Sequence, residues 1–375
     1  MKDYHMSEMA NGQVSGVLEV LPKNGGYLRD PKASFAPAPT DVFVPQKAIQ
    51  KFNLATGALI VGTTERGKSG PVLNSINTVC GVSPLEFAER KSLKEMTALN
   101  PEQRFDLGKS GDISMRIIDL IAPIAKGTRG LIVSPPKAGK TMILEGLTRA
   151  IREDSPETRI VVLLIDERPE EVTHFRRATN AEVLASSSDQ SVADHVRLAQ
   201  MAMSQAVREV ECHHDVVVLM DSITRMGRAF NQSGKGSGRT MSGGLDSRAL
   251  EIPRKFFGMA RNIEGGGSLT IIATALVDTG SRMDDMIFEE FKGTGNSEIV
   301  LDRNLAENRI YPAIDLRASG TRRDELFFNE KEYEALTLLR RRAASASAKP
   351  AMEGMLKLME KWDTNEALLE GLSGD

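Results

Sequence analysis

Gly130-Leu131-Ile132-Val133-Ser134-Pro135-Pro136-Lys137-Ala138-Gly139-Lys140-Thr141 sets an apolar run directly before a short loop that ends in Gly-Lys-Thr. An amphipathic stretch, Met142 to Ile151, follows without a break. Strand, loop and helix in that order are the context in which a phosphate-binding loop works. Its backbone N–H groups and the N-terminus of its helix present positive potential to an anion. Lys140 is placed to reach the β- and γ-phosphates of a nucleotide, and the Thr141 hydroxyl to ligate Mg²⁺. Gly139 lets the backbone approach closely. The general pattern opens on glycine where this chain has Ser134, so the motif by itself also fits a lysine-bearing turn between strand and helix.

Beyond this loop the chain alternates apolar runs (Ile160 to Ile165, Val216 to Met220, Leu269 to Ala275) with long amphipathic stretches. That rhythm predicts an α/β core, a mostly parallel sheet covered by helices. In such a sheet ligands bind at the carboxyl ends of the strands. Two acids stand there. Asp221 closes the run Val216-Val217-Val218-Leu219-Met220, the position of a second Mg²⁺ ligand, although an N-cap before Ser222 is the plainer alternative. Glu167, in Ile165-Asp166-Glu167-Arg168-Pro169-Glu170-Glu171, is placed to polarise an attacking water. Glu170 and Glu171 read as a solvated acidic loop.

From about Gly16 to Val82 short apolar runs (Val17 to Leu21, Asp41 to Val44, Ala58 to Gly62) are punctuated by glycine and proline, which predicts a small β-barrel or sandwich. Pro84 to Gln103 reads as a helical, charged connector. In the tail Leu336, Leu338 and Leu339, then Met352, Met355, Leu356 and Met359, fall at helical spacing, with Ala344 to Pro350 as a small-residue linker. The 375 residues suffice for two or three domains, and 41% hydrophobic with 26% charged residues is an ordinary globular mix. No apolar run is long enough to span a membrane, and the polar stretch Met1 to Gly12 has no secretory apolar core, so a cytoplasmic protein is expected. Cys80 and Cys212 are the two cysteines; they form no metal-ligand pattern and read as reduced thiols. A net charge of −3 does not advertise nucleic-acid binding, but a protein that grips nucleic acid with a few residues needs only local positive charge.

Several segments together are specific. The phosphate loop, Leu163 to Val172 (LLIDERPEEV), Asp221 to Arg225 (DSITR), Gly266 to Leu276 (GGSLTIIATAL), Glu289 to Asn296 (EEFKGTGN) and Tyr311 to Arg322 (YPAIDLRASGTR) resemble, in order and spacing, the bacterial Rho family of hexameric RecA-like RNA translocases, which also starts its loop without glycine. The resemblance runs from about Gly16 to Arg323. It implies a polar N-terminus (1–15), an oligonucleotide-binding (OB) barrel as primary RNA-binding domain (16–82), a connector (83–116), a RecA-like ATPase core (117–329) and C-terminal helices (330–375). It further implies a homohexamer with ATP and Mg²⁺ between subunits, single-stranded nascent RNA in the central channel, and the RNA polymerase elongation complex as target.

Carried over position by position, the resemblance assigns catalysis to Lys140, Glu167 and Arg322, the last as an arginine finger offered to the neighbouring subunit. Nucleotide contacts fall to Ser134, Pro135, Pro136, Lys137, Ala138, Gly139, Lys140, Thr141, Met142, Arg168, Arg309 and Tyr311, with Tyr311 stacking on adenine and Arg225 nearby. Thr141 and Asp221 hold the metal. Channel contacts to RNA fall to Lys235 and Arg239 in Asn231 to Gly244, and to Arg282 in Asp278 to Asp285, by charge on phosphate. In the barrel, alternation sets Phe43 opposite the inward Val42 and Val44, where it either stacks a base, assisted by Tyr27 and Arg29, or simply packs in the core. Two departures stand out. Gly67 to Asn77 lacks the aromatic and acidic residues that complete the family's cytosine pocket, and the barrel begins without the family's helical N-terminal subdomain. Other RecA-like ring motors, a rotary ATPase subunit or a DNA recombinase, share the loop but not the barrel and channel segments. A non-motor RNA-binding protein would not need Lys140, Glu167, Asp221 and Arg322 together.

Overall fold

The computed structural model describes residues 12–22, 25–67, 70–234, 244–246 and 248–373. Alternation builds the first unit. β1 (Gln13–Leu21), β2 (Gly25–Arg29), β3 (Val42–Val44), β4 (Leu59–Gly67) and β5 (Gly70–Val79) close into a barrel in the order β1-β2-β3-β5-β4. Val42 and Val44 are buried and Phe43 half-buried, the period of two expected of a strand with one face inside. Leu18, Leu28, Val42, Val44, Ile60, Leu73 and Val79 fill the interior. A one-turn helix, α1 (Gln46–Lys51), plugs Ile49 into this core. It is too short to show a period in sequence.

The connector is less helical than its composition suggests. Only α2 (Pro84–Glu89) is helix; β6 (Ala98–Leu99) is a short strand. Helix α3 (Ile113–Ile121) then opens the α/β core, followed by β7 (Arg129–Ser134), α4 (Lys140–Asp154), β8 (Arg159–Glu167), α5 (Pro169–Ala178), β9 (Glu182–Ser187), α6 (Val192–Glu211), β10 (Asp215–Asp221), α7 (Ile223–Ser233), α8 (Glu251–Phe257), β11 (Arg261–Ile263), β12 (Ser268–Leu276), α9 (Arg282–Lys292), β13 (Ser297–Val300), α10 (Arg303–Glu307) and β14 (Gly320–Thr321). The sheet runs β14-β13-β7-β12-β10-β8-β9, with β11 and β6 added at its side. From β13 to β9 all neighbours are parallel.

Both faces of this sheet are covered, so its strands are continuous apolar runs. Ile132, Val162, Leu164, Val217, Leu219 and Ile272 face α3, α4, α5 and the C-terminal helices. Their alternates Leu131, Val133, Leu163, Val218, Met220 and Ala273 face α6, α7, α8 and α9. The tail, α11 (Glu330–Ala344), α12 (Ala348–Lys361) and α13 (Asn365–Ser373), contributes Leu336, Leu339, Met352, Met355 and Met359 to the first of these cores. Leu338 does not join the stripe; it is 38% exposed on the outer side of α11. Pro350 belongs to the first turn of α12 rather than to a linker, where its missing N–H costs nothing.

The barrel is seated on α6. Gly57, at φ 93, lies so close that a Cβ there would stand 2.2 Å from the Ser204 backbone, a contact no side chain permits. Arg197 of α6 binds Glu19 of β1 at 3.0 Å and donates to the Phe35 carbonyl.

Candidate active site

Parallel pairing brings the carboxyl ends of β7, β8 and β10 to one edge, and the loop after β7 lands there. Lys137 (φ 65) and Gly139 (φ 94) take left-handed backbone, which curls the loop under the start of α4. No side chain caps α4 at Gly139, so its first N–H groups are open to an anion. Ser134 is wholly buried at the end of β7, and its hydroxyl donates to the Pro135 carbonyl at 2.9 Å. Pro135 and Ala138 are buried, Pro136 and Lys137 exposed, and Thr141 half-buried.

Lys140 meets three acids. Its Nζ donates to Asp221 Oδ2 and lies 3.6 Å from Glu167 Oε2 and 4.0 Å from Glu171 Oε2. Burial works to lower the Lys140 ammonium's pKa, but the carboxylates of Asp221, Glu167 and Glu171 more than offset it and raise it. Asp221 and Glu167 are fully buried. The other Asp221 oxygen accepts from Thr274 Oγ1 at 2.8 Å. Glu167 reaches the cluster because β8 carries a bulge between Ile165 and Glu167, with Asp166 at φ 55; a bulge re-aims the side chain that follows it. Glu167 Oε1 is held by Arg225 Nη2 at 3.0 Å, and the same guanidinium donates to the Asp166 carbonyl. Burial, reinforced by the Asp221 charge, raises the Glu167 carboxyl above its ordinary range, with Lys140 and Arg225 pulling the other way.

Glu167 Oε2 is buried and has no hydrogen-bond partner among the described residues. An orphaned acceptor in a charged cleft suits a water or a cation. Ligand atoms of Glu167, Glu171 and Asp221 lie within 4.8 Å of one another, and one or two carboxylates beside a phosphate loop are the oxygen donors Mg²⁺ uses. These residues fit a Mg²⁺–nucleotide. Glu171, expected as a solvated acid, is instead turned back to the cluster by the first turn of α5. Thr274 and Glu171 had no signal beyond their place in the chain; only the strand order sets β12 beside β10.

Two apolar side chains stand open at the loop. The Tyr311 ring lies 3.7 Å from where a Gly139 Cβ would be and is 39% exposed; Met142, on the first turn of α4, is 64% exposed. Arg168, the N-cap of α5, and Arg309, at φ 60 beyond α10, are both exposed. Arg322 is not brought to the site. Its N–H donates to the Asn296 carbonyl at 2.8 Å, next to the pairing of Ser297 with Gly130 and Thr321. That is the amino end of β7, roughly 15 Å along the strand from Ser134.

On the barrel, Tyr27 and Phe43 are cross-strand partners, with rings edge-to-face at 5.5 Å and 64°. Arg29 lies 5.2 Å over the Tyr27 ring. It is buried, bound to Glu19 at 2.6 Å and to Asp41, so it braces the aromatic pair from within rather than presenting a free cation. Arg282 is exposed, but it is the first residue of α9, capped by Ser281, and not part of a loop. Lys235 and Arg239 lie outside the described residues. Among the described residues no helix is long and apolar enough to cross a membrane.

Comparison with known proteins agrees with this architecture. Residues 14–84 match the model of the Rho termination factor RNA-binding domain. Residues 114–321 match the nucleotide-binding domain of the ATP synthase alpha/beta family. Among solved structures, an ATPase from the type III secretion system of pathogenic bacteria aligns with TM-score 0.63 at 23% identity, over 83% of this chain and 93% of that one. An ATP synthase subunit NeqB from Nanoarcheaum equitans gives 0.58 at 18%, over 82% of each; at such identities the likeness is one of fold. Transcription termination factor Rho from Chromobacterium violaceum is 45% identical over 95% of this chain and 87% of its own length. The Aquifex aeolicus protein of that name is 46% identical over 96% and 84%. The Streptomyces lividans one is 46% identical over 95% of this chain, which spans 51% of that longer relative. An RNA-binding barrel joined to an ATPase core, matched along nearly its whole length, belongs to the transcription termination factor Rho family.

Proposed function

We propose that this chain is an RNA-dependent ATPase that assembles as a homohexameric ring in the cytoplasm, draws nascent single-stranded RNA through its channel and dissociates the transcription complex. In this reading residues 16–82 capture RNA, residues 117–329 hydrolyse ATP, and 330–375 brace the core. The observation that carries it is the Lys140 cluster. A half-buried cation is held between Asp221 and Glu167, an acceptor of Glu167 is left open, and the arginine the reaction still needs is displayed at the far end of the sheet. Thr141 and Asp221 would hold Mg²⁺, which would supply positive charge to the phosphates. Lys140 leaves its carboxylates for the β- and γ-phosphates; Glu167 takes a proton from the attacking water. Tyr311 and Met142 enclose the base. Arg322 of the neighbouring subunit meets the charge that spreads over the transferred phosphoryl group.

Exposed Arg282, with Lys235 and Arg239, contacts RNA backbone, and Phe43 with Tyr27 stacks bases on the barrel. The polar β5 hairpin gives this barrel no second aromatic wall, so base preference is weak. The test is ATPase turnover against a panel of homopolymeric RNAs and single-stranded DNA. Strong stimulation by RNA and little by DNA is expected, with similar response among the RNAs. Lys140→Ala lowers turnover by ~10²-fold or more. Equal stimulation by DNA, or RNA-stimulated turnover persisting in Lys140→Ala, would overturn the reading.

A further inference from the structure

The chain contains two cysteines, one in each structural unit, and both lie in one buried cluster where the units join. Cys80 follows β5 at the foot of the barrel; Cys212 caps the end of α6 in the ATPase core. Both are buried, at 1% and 6% exposure, in one cluster with Val79 and Phe87. The approach is held from both sides. Cys80 takes φ 47, a left-handed conformation uncommon for a side chain of its kind. It is fixed there because its N–H donates to the Leu59 carbonyl at 2.7 Å and its own carbonyl pairs with His214 Nε2 at 2.9 Å. The junction is also open to small molecules. A cavity of about 640 Å³ between the connector, the end of α6 and the β11–β12 turn is lined by Cys212 together with Val82, Arg90, Met96, His213 and Gly265.

We propose that Cys80 and Cys212 are a reversible disulfide site, closed by hydrogen peroxide entering this cavity and opened by a thiol reductant, and that the bond fastens the barrel to the ATPase core. The Cys212 thiolate attacks a peroxide oxygen. The O–O bond breaks, a sulfenic acid forms, and the departing hydroxide takes the thiol's proton as water. The Cys80 sulfur then attacks the sulfenic sulfur, the S–O bond breaks, and the hydroxide leaves as a second water with the Cys80 proton. Two thiols lose two electrons and two protons; one peroxide becomes two waters. Cys212 is the entry point because it lines the cavity. Cys80 suits the second role: the neighbouring Cys212 thiol and its own burial raise its pKa and keep it protonated and unreactive toward the oxidant.

The test uses the full chain treated with hydrogen peroxide, denatured in acid, alkylated with N-ethylmaleimide and weighed intact and as peptides. The expected result is a chain lighter by two hydrogens, carrying no alkyl group, with one linked peptide pair containing Cys80 and Cys212; dithiothreitol returns two alkylated cysteines. In the same samples the thermal midpoint of the oxidised chain rises by several degrees over the reduced one, because a cross-link closing so long a loop restricts the unfolded chain. Cys212→Ser, which removes the bond and little volume, shows no such rise. Two alkylated cysteines after peroxide, Cys212 carrying two added oxygens without a link, or a bond formed between two chains would each overturn the proposal.

Discussion

Glu167 is the residue whose surroundings set the chemistry, because opposite charges act on one carboxyl. Its burial and Asp221 push its pKa up, and Lys140 and Arg225 pull it down. In the proposed role as general base it must be ionised. Since the net shift is upward, turnover falls as pH drops through a value above the usual carboxylate range, not within it. Arg225→Gln removes one of the two cations that favour the ionised form, so the acid limb of the kcat–pH profile moves to higher pH; Arg225→Lys leaves it near its original position. Glu167→Gln keeps nucleotide binding, lowers kcat by ~10²–10⁴-fold and abolishes the limb. A profile that ignores the charge at position 225 would separate Glu167 from the reaction. Glu167 and Asp221 were legible in the sequence because an acid closing an apolar run marks a strand end. Thr274 and Glu171 were not. Thr274 reaches Asp221 only because β12 lies between β7 and β10, and strand order is a long-range property that no local pattern carries.

At the scale of elements, the C-terminal helices are tied to α3 by a buried polar knot. The Arg116 guanidinium donates to Asn365 Oδ1 at 3.3 Å and to the carbonyls of Met359 and Trp362 at 3.2 and 2.6 Å. Beside it Asp119, fully buried, accepts from Asn365 Nδ2 at 3.2 Å and lies 3.5 Å from Arg104. Burial pushes the Asp119 carboxyl up to about 6, against Arg104 and the Asn365 bond, with Asp106 and Glu366 adding to the rise. A folded-state pKa above the unfolded value means that the folded chain binds the proton more tightly. The contribution is therefore complete below about pH 4 and is lost as pH rises through 6, worth about 3 kcal/mol at most. Asp119→Asn carries no titrating proton there. The difference in urea midpoint between wild type and Asp119→Asn changes between pH 4 and 7, with wild type losing ground as pH rises; a difference flat with pH would show that Asp119 does not titrate in this range. The stripe of Leu336, Leu339, Met352, Met355 and Met359 announced these helices. It did not announce the knot, whose partners come from opposite ends of the core.

In the proposed ring, the whole molecule is incomplete as a single chain. The barrel was legible from its alternation and turns, and the parallel sheet from its continuous apolar runs, but the distance between Lys140 and Arg322 follows only from register. β13 aligns Ser297 with Gly130, and β14 aligns Thr321 with Ser297, so Arg322 is fixed at one end of the sheet while Lys140 is fixed at the other. Neither side chain spans roughly 15 Å of strand. If both serve one nucleotide, they come from different chains, and that has a consequence a single-chain site does not share. Lys140→Ala rings have intact arginines and empty loops; Arg322→Ala rings have intact loops and no finger. Each alone is inactive in turnover, although Arg322→Ala still binds nucleotide. When the two are dissociated, mixed and reassembled, some interfaces join an intact loop to an intact arginine, and RNA-stimulated hydrolysis reappears in proportion to such interfaces. A mixture as silent as its parents, with exchange of subunits verified by mass, would place the missing arginine within the chain and remove the argument for a ring.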